Sequence, residues 1–202
     1  MMGPSALQAL RESGGPPAGQ SFERETMDAW DWTELECRDV RFHACQFQHC
    51  DFSGASFYGC TFQSCQFTAC RFCKSFFQHS QIIGCKADGA DFRKARFKDC
   101  TLADDLIRYA NLNNSVFERT QVRLCNLQEA ALAEARVKKT VFTSVDFTGA
   151  ELFHTSFRGV DLSTCTLDRI VLSASCAELK GAAISAAQAG VVARILGIEV
   201  LP

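Results

Sequence analysis

The sequence predicts a solenoid, a stack of short repeats in which each unit buries one face on the next, and three observations carry that expectation. Phenylalanine stands at 42, 47, 52, 57, 62, 67, 72 and 77, a five-residue period without a slip. The same frame runs on, so that all 29 positions at steps of five from Trp32 to Leu172 are apolar, and it holds 15 of the 17 Phe when Phe22 is counted. Two places before these residues, 25 of the 29 are Cys, Ala, Ser, Thr or Val, so a small residue travels with every large one. A helix repeats its apolar face about every 3.6 residues and a strand every ~2, and neither produces a fixed five.

Along the chain, residues 1–20 are rich in Gly and Pro and read as a mobile tail, with one helical turn over 5–12 suggested by Ser5 and Gln8 as a capping pair. Residues 21–178 carry the repeat, weak at first (Phe22, Met27, Trp32, Cys37) and then strict, and it decays after Leu172. Residues 179–202 change character. Ser185 is a good N-cap with Gln188 completing a capping box, and Gly197 is a good stop, which predicts a helix over 186–196 followed by a short strand over 198–200. Its apolar residues Val191, Val192, Ile195 and Leu196, with Ile198, are the expected interface of a homodimer, because an open solenoid end needs covering and a two-fold contact supplies a cover.

Composition narrows the function. A net charge of -2 marks neither a nucleic-acid binder nor an acidic tail, although residues 52–100 are net basic and 1–51 net acidic. No secretory start and no run of about 18 apolar residues is present, so the expected location is the cytoplasm, away from membranes. Nine of the 12 cysteines fall on the small inward position and are expected to be free thiols, including Cys45, Cys65 and Cys85, stacked one coil apart. The one C-x-x-C, Cys70 and Cys73, would point one sulfur in and one out, a poor zinc site. No nucleophile elbow, phosphate loop or H-E-x-x-H occurs. The expectation is a protein that is not an enzyme and takes no cofactor.

The stretches CDFSGASF, ADGADF, ANLNNSVF, TGAEL and GVDLSTCTL resemble the pentapeptide-repeat family. That resemblance covers about 22–178 and implies an all-β fold, a right-handed quadrilateral β-helix with four pentapeptides to a coil, here closed by a short C-terminal α-helix. About seven coils at ~4.8 Å would make a rod core on the order of 35 Å. A narrower likeness lies in Leu179-Lys180-Gly181, Gln188-Ala189, Arg194 and Leu196-Gly197-Ile198, which resemble the tail of the Qnr and MfpA topoisomerase-protection proteins. It implies a dimeric rod that binds DNA gyrase or topoisomerase IV and counters a quinolone or natural toxin by partial DNA mimicry. The other reading is a scaffolding repeat protein with a different partner.

With four faces to a coil, Arg96, Lys98, Arg119, Arg136, Lys138, Lys139 and Arg158 share one side, and Asp146 and Asp168 share another with Glu129. Asp161 and Glu151 flank that acidic side, and Asp146, Glu151, Asp161 and Asp168 are the expected partner surface. Phe76 and Ile83, apolar at outward positions of a coil that has Ala87 where a large residue is due, mark either a second contact surface or a local bulge. Asp105 stands in the small-residue column of Cys45, Cys65, Cys85, Cys125, Val145 and Cys165. Burial of a bare carboxylate there would be costly, so either Asp105 stays inward and is satisfied by backbone N–H groups or a Ser or Thr hydroxyl, or the coil opens locally so that it meets Arg108 at the surface, and the second is the expectation.

Overall fold

The computed structural model describes residues 17–201; the helical turn suggested over 5–12 lies outside them. Large residues 20 positions apart fall into register, Phe22 opposite Phe42 and Phe42 opposite Phe62. The result is a four-sided parallel β-helix. Its first face is a seven-stranded sheet from Ser21–Glu23 to Val141–Thr143. The second begins as three strands, Thr26–Asp28, Gln46–Gln48 and Gln66–Thr68, and continues as single bridges to Asp146 and Thr166. Bridges alone build the third face, from Asp31 and Asp51 to Glu151 and Val171. The fourth has six strands, from Glu36–Arg38 to Arg136–Lys138. Pairing starts ahead of Phe22, where Ala18 bridges Arg38.

The five-residue unit has a physical reason at each place. The large residue and the small one before it point inward and are buried almost without exception. The residue two after the large one turns the corner with positive φ, +60° at Lys74, +59° at Tyr109 and +54° at Leu124. A left-handed non-Gly residue costs ~1–2 kcal/mol, so the corners are tolerated only because stacking of whole coils offsets them. Asp or Asn directly before the large residue accepts from the N–H two residues on, as Asp51 does from Ser53 (2.9 Å), Asn111 from Asn113 (3.1 Å) and Asp161 from Ser163 (2.8 Å), the local turn that favours these side chains.

The small position asks for more than size. Cys65 Sγ points its hydrogen at the Phe42 carbonyl (3.4 Å) and Cys85 Sγ at that of Phe62 (3.4 Å). Ser80 and Thr120 hydroxyls donate in the same way to Phe57 and Phe97, both at 3.1 Å. Cys, Ser and Thr therefore recur because each carries a donor that ties one coil to the last, and all 12 thiols are free.

Asp105 corrects the sequence reading. Its coil is regular, with Leu106 bridging Lys86 and Asn126, and the carboxyl is fully buried. Oδ1 accepts the Cys85 N–H (2.7 Å) and Oδ2 lies 3.9 Å from Cys125 Sγ. Burial, with the nearby Cys85 thiol, pushes its pKa up to about 9, although the Cys85 N–H pulls the other way. Asp105 is thus a neutral acid at neutral pH and needs no surface cation; Arg108 pairs instead with Asp88. Nor does the Phe76–Ile83 coil bulge, since Phe76–Gln78 and Gln81–Ile83 are ordinary strands. The volume missing at Ala87 appears inside, as a void of about 30 Å³ bordered by Ala87, Phe92, Asp105 and Ile107.

The last coil departs from the pattern. Residues 156–164 make no backbone-to-backbone hydrogen bond to 136–144, where only the Thr164 hydroxyl accepts the Ser144 N–H (3.1 Å), while their neighbours on the second and third faces remain bridged, Asp146 to Thr166 and Glu151 to Val171. On the other side they bond onward with a shift of two residues, Phe157 N–H to Glu178 O and Leu162 N–H to Ala183 O. Glu178 fills the gap left by that shift. Its buried carboxylate accepts from His154 N–H (2.9 Å), Ser173 N–H (3.2 Å) and Ser173 Oγ (2.9 Å). Burial pushes this carboxyl up, but those bonds outweigh it and hold the pKa below the ordinary glutamate value.

Helix α1 spans Ala186–Ile195 with its capping box formed: Ser185 N–H donates to Gln188 Oε1 (2.6 Å) and Gln188 N–H to Ser185 Oγ (3.3 Å). The same Gln188 is buried, and its Nε2 donates to the carbonyls of Leu162 (2.9 Å) and Cys165 (2.6 Å). One side chain both starts the helix and closes the end of the rod. Gly197 turns at φ +76° as the stop, but the strand expected over 198–200 does not form, because Ile198 N–H bonds back to Ala193 O (2.9 Å).

Candidate functional site

The fold displays its side chains on four faces of a rod, so candidate sites are surfaces. Asp146 and Asp168 lie on the second face, one coil apart, with Glu129 at its corner; Glu151 lies on the third and Asp161 on the first. These carboxylates are not equivalent. Asp146 Oδ1 accepts Thr148 N–H (2.9 Å) and Thr148 Oγ1 (2.6 Å), and Oδ2 accepts Gln128 Nε2 (2.6 Å). Burial pushes its pKa up, but these bonds prevail and hold it below the ordinary aspartate value. The bonds from Ser163 hold Asp161 low as well. Both therefore serve their own turns first. Glu151 and Asp168 are exposed, and Glu129 is kept close to the chain at Gly149, where an added Cβ would come within 2.8 Å of its carboxylate. Arg169 and Arg194 gather beside Asp168, which dilutes the acidic side further.

Opposite the second face, the fourth is basic where the sequence places it, with Arg96, Lys98, Arg119, Arg136, Lys138 and Lys139 on its strands and corners and Arg158 on the coil beyond. Arg119 is engaged by Asp99 and Glu118, each at 2.6 Å. Phe76, half-buried on this face, lies edge-on to Tyr58 (5.8 Å) and under the Arg96 guanidinium (5.6 Å). Ile83 is half-buried on the first face, and the two are separate features of neighbouring sides. A cleft of about 890 Å³ follows the edge between the third and fourth faces, from Lys94 and Arg96 past Arg136 to His154 and Arg158. Its far end is the place where the last coil leaves the ladder. Five-residue periodicity could not show this, because the frame through 156–164 is unbroken.

At the C-terminal end, Ile195 packs partly on the core and Val191 and Val192 are half-buried, whereas Leu196, Ile198, Val200 and Leu201 are exposed. Four large apolar side chains within six residues stand in water. Among the described residues no group of three His, Cys, Asp or Glu could hold a metal ion, and no helix is long and apolar enough to cross a membrane.

Two family models match: a pentapeptide repeat region over residues 59–132, and pentapeptide repeats over 36–72 and 125–169, which together span 36–169. No curated protein sequence matches. Among solved structures, full-length QnrB1, a plasmid-mediated fluoroquinolone resistance protein, is 20% identical over 91% of this chain and 100% of its own, with a TM-score of 0.46. HetL, a pentapeptide repeat protein involved in heterocyst differentiation regulation from the cyanobacterium Nostoc sp. strain PCC 7120, is 14% identical over 91% and 98%, at 0.33. Rfr23, a pentapeptide repeat protein from the cyanobacterium Cyanothece 51142, is 12% identical over 90% and 98%, at 0.25.

Proposed function

The chain belongs to the pentapeptide-repeat family, and from that premise we propose that it is a non-catalytic cytoplasmic protein that binds a type II topoisomerase, DNA gyrase or topoisomerase IV, and shields it from a quinolone or natural-product poison. The observation that carries the reading is the C-terminal end. Gln188 already closes the rod against its own helix, yet Leu196, Ile198, Val200 and Leu201 remain exposed beside it. A second copy meeting this end would bury them by a two-fold contact and make a rod of twice the length. The same segment carries the likeness to the Qnr and MfpA tails. In this reading Glu151 and Asp168, with Glu129, are the acidic groups offered to the enzyme's DNA-binding saddle. Asp146 and Asp161 contribute less than their charge suggests, because their oxygens are committed to Thr148, Gln128 and Ser163.

The test is gyrase supercoiling with a quinolone, titrated with the purified protein. Restored supercoiling is expected, with loss of rescue in the Glu151→Lys/Asp168→Lys variant at unchanged melting temperature. No effect of the protein at any ratio, on supercoiling or on cleavage, overturns the reading in favour of a scaffold for another partner. Sedimentation of the full chain is expected to give a dimer, and Ile198→Asp a monomer.

A further inference from the structure

Elsewhere on the rod some arginines meet acids, Arg38 with Glu36, Arg71 with Asp51, Arg93 with Asp91 and Arg108 with Asp88, and others such as Arg24, Arg41 and Arg123 stand singly among the described residues. None of the four cations that line the cleft, Lys94, Arg96, Arg136 and Arg158, has a carboxylate within 4.0 Å among the described residues, although one acid, Glu134, lines it too; Lys98, Lys138 and Lys139 extend the unpaired charge over the fourth face beside it. In register Arg96 and Arg136 flank Val116, and Lys98 and Lys138 flank Glu118, whose carboxylate is already taken by Arg119, so the surplus positive charge of this face is left for a bound polyanion to relieve.

The backbone adds donors at the same place. In each coil before it, the N–H ahead of the large residue of the fourth face bonds to the preceding coil, as Arg96 does to Ser75 and Arg136 to Ser115. Ser156 N–H has no such acceptor, and Lys139 N–H lacks the carbonyl that Arg119 N–H finds at Lys138 (2.9 Å). Both follow from the lifting of 156–164. The Ser156 N–H therefore lies in the cleft with its four unpaired cations, and the Lys139 N–H on the fourth face beside it.

We propose that this cleft binds the phosphodiester backbone of a nucleic acid. A polyanion suits it because neutralising phosphates with Lys and Arg, and the release of counterions that follows, supply affinity without apolar contacts or base reading. An acidic protein segment suits it less well. Such partners take their binding energy from buried aromatic or aliphatic anchors, and the cleft offers only the half-buried Val116 and Val137 beside its small floor. The inference stands apart from the topoisomerase reading, since it concerns the protein alone with nucleic acid.

Anisotropy of a labelled 30-base-pair duplex, and of one of its strands, titrated with the full chain at 50–200 mM KCl tests it. We expect binding whose logarithm falls linearly with log salt, by roughly 0.9 per duplex phosphate neutralised and roughly 0.7 per single-strand phosphate. Arg136→Glu/Lys138→Glu/Arg158→Glu should weaken it at least tenfold, while Glu151→Gln/Asp168→Asn stays within twofold. Matching far-UV circular dichroism and melting of the variants separates lost contact from lost fold. No binding of either probe at 50 mM KCl, binding indifferent to the triple reversal, or tighter binding of a polyglutamate of equal charge overturns the proposal. Gyrase is absent from the assay, so the protection reading fails or holds on its own experiment.

Discussion

The coils up to Phe117 and the coils after it are built to different standards. In the first region rings stack coil on coil: Phe52, Phe72 and Phe92 at 4.7 Å, and Phe57, Phe77, Phe97 and Phe117 at 4.8 to 5.1 Å. Beyond Phe117 no such pair is found among the described residues. Phe142 meets Phe117, Phe147 and Phe157 edge-on at 5.6 to 6.4 Å, and Leu and Val fill most other columns. Most of the paired arginines belong to the ordered region, whereas the looser region carries the broken ladder and the far end of the cleft, whose unpaired cations begin at Lys94 and Arg96 in the ordered coils. Identical columns make a rod that resists change, and irregular ones leave room for a surface that does something.

The sharpest way to break the contrast is to cut a ring from the stacked region. Phe72→Ala, between Phe52 and Phe92, should cost ~3–5 kcal/mol in chemical denaturation, and more than Leu132→Ala in the later coils; equal losses would show that stacking adds nothing beyond burial. Asp105, just before the boundary, gives the next largest effect. Its folded pKa, about 9, lies above the unfolded value, so the stability it leaves intact is full below pH ~4 and is lost as pH rises toward 9, by at most ~1.4 kcal/mol per pH unit. Asp105→Asn should remove that slope, its advantage over the native chain widening between pH 5 and 8 in thermal melts; a constant difference would mean that the carboxyl is ionised inside.

Glu178 has the opposite sign. Its folded pKa is depressed, so its contribution is present at neutral pH and lost on acidification through the carboxylate range. Glu178→Ala, which strands the His154 and Ser173 N–H groups, should cost ~2 kcal/mol at pH 7 and flatten the acid limb of the stability curve. The smallest effect belongs to the exposed sheet of the first face: Val141→Thr should fall within ~0.5 kcal/mol of native, and a larger loss would mean that Val141 is covered in the assembled protein.

The stacked region was legible almost residue by residue, because a five-residue period can satisfy only a stack in which the large and small residues face inward. Where reading failed, the period was silent about a choice between two physical solutions. Asp105 could open the coil or hold its proton, and burial decided for the proton against the pull of the Cys85 N–H, which only anchors the carboxyl inside. Asp146 and Asp161 looked like surface charge, but the N–H two residues on makes each a turn former. Gln188 was legible as a cap and illegible as the plug of the rod, since its carbonyl partners lie more than 20 residues away. The opened coil depends on a two-residue shift after Val171, visible in sequence only as a fading pattern.

The 20-residue register has a consequence for how such a molecule can change. Because residue 22 sits over 42 and 42 over 62, duplicating or deleting any block of one full coil restores the backbone register at the seam, with large residues over large and small over small, and alters the rod by one inter-strand step, ~4.8 Å. The distance from the basic cleft to the apolar C-terminal end is therefore a quantised variable, adjustable coil by coil without redesigning either. A rod of this kind is a ruler whose two marks can be moved apart by copying its middle.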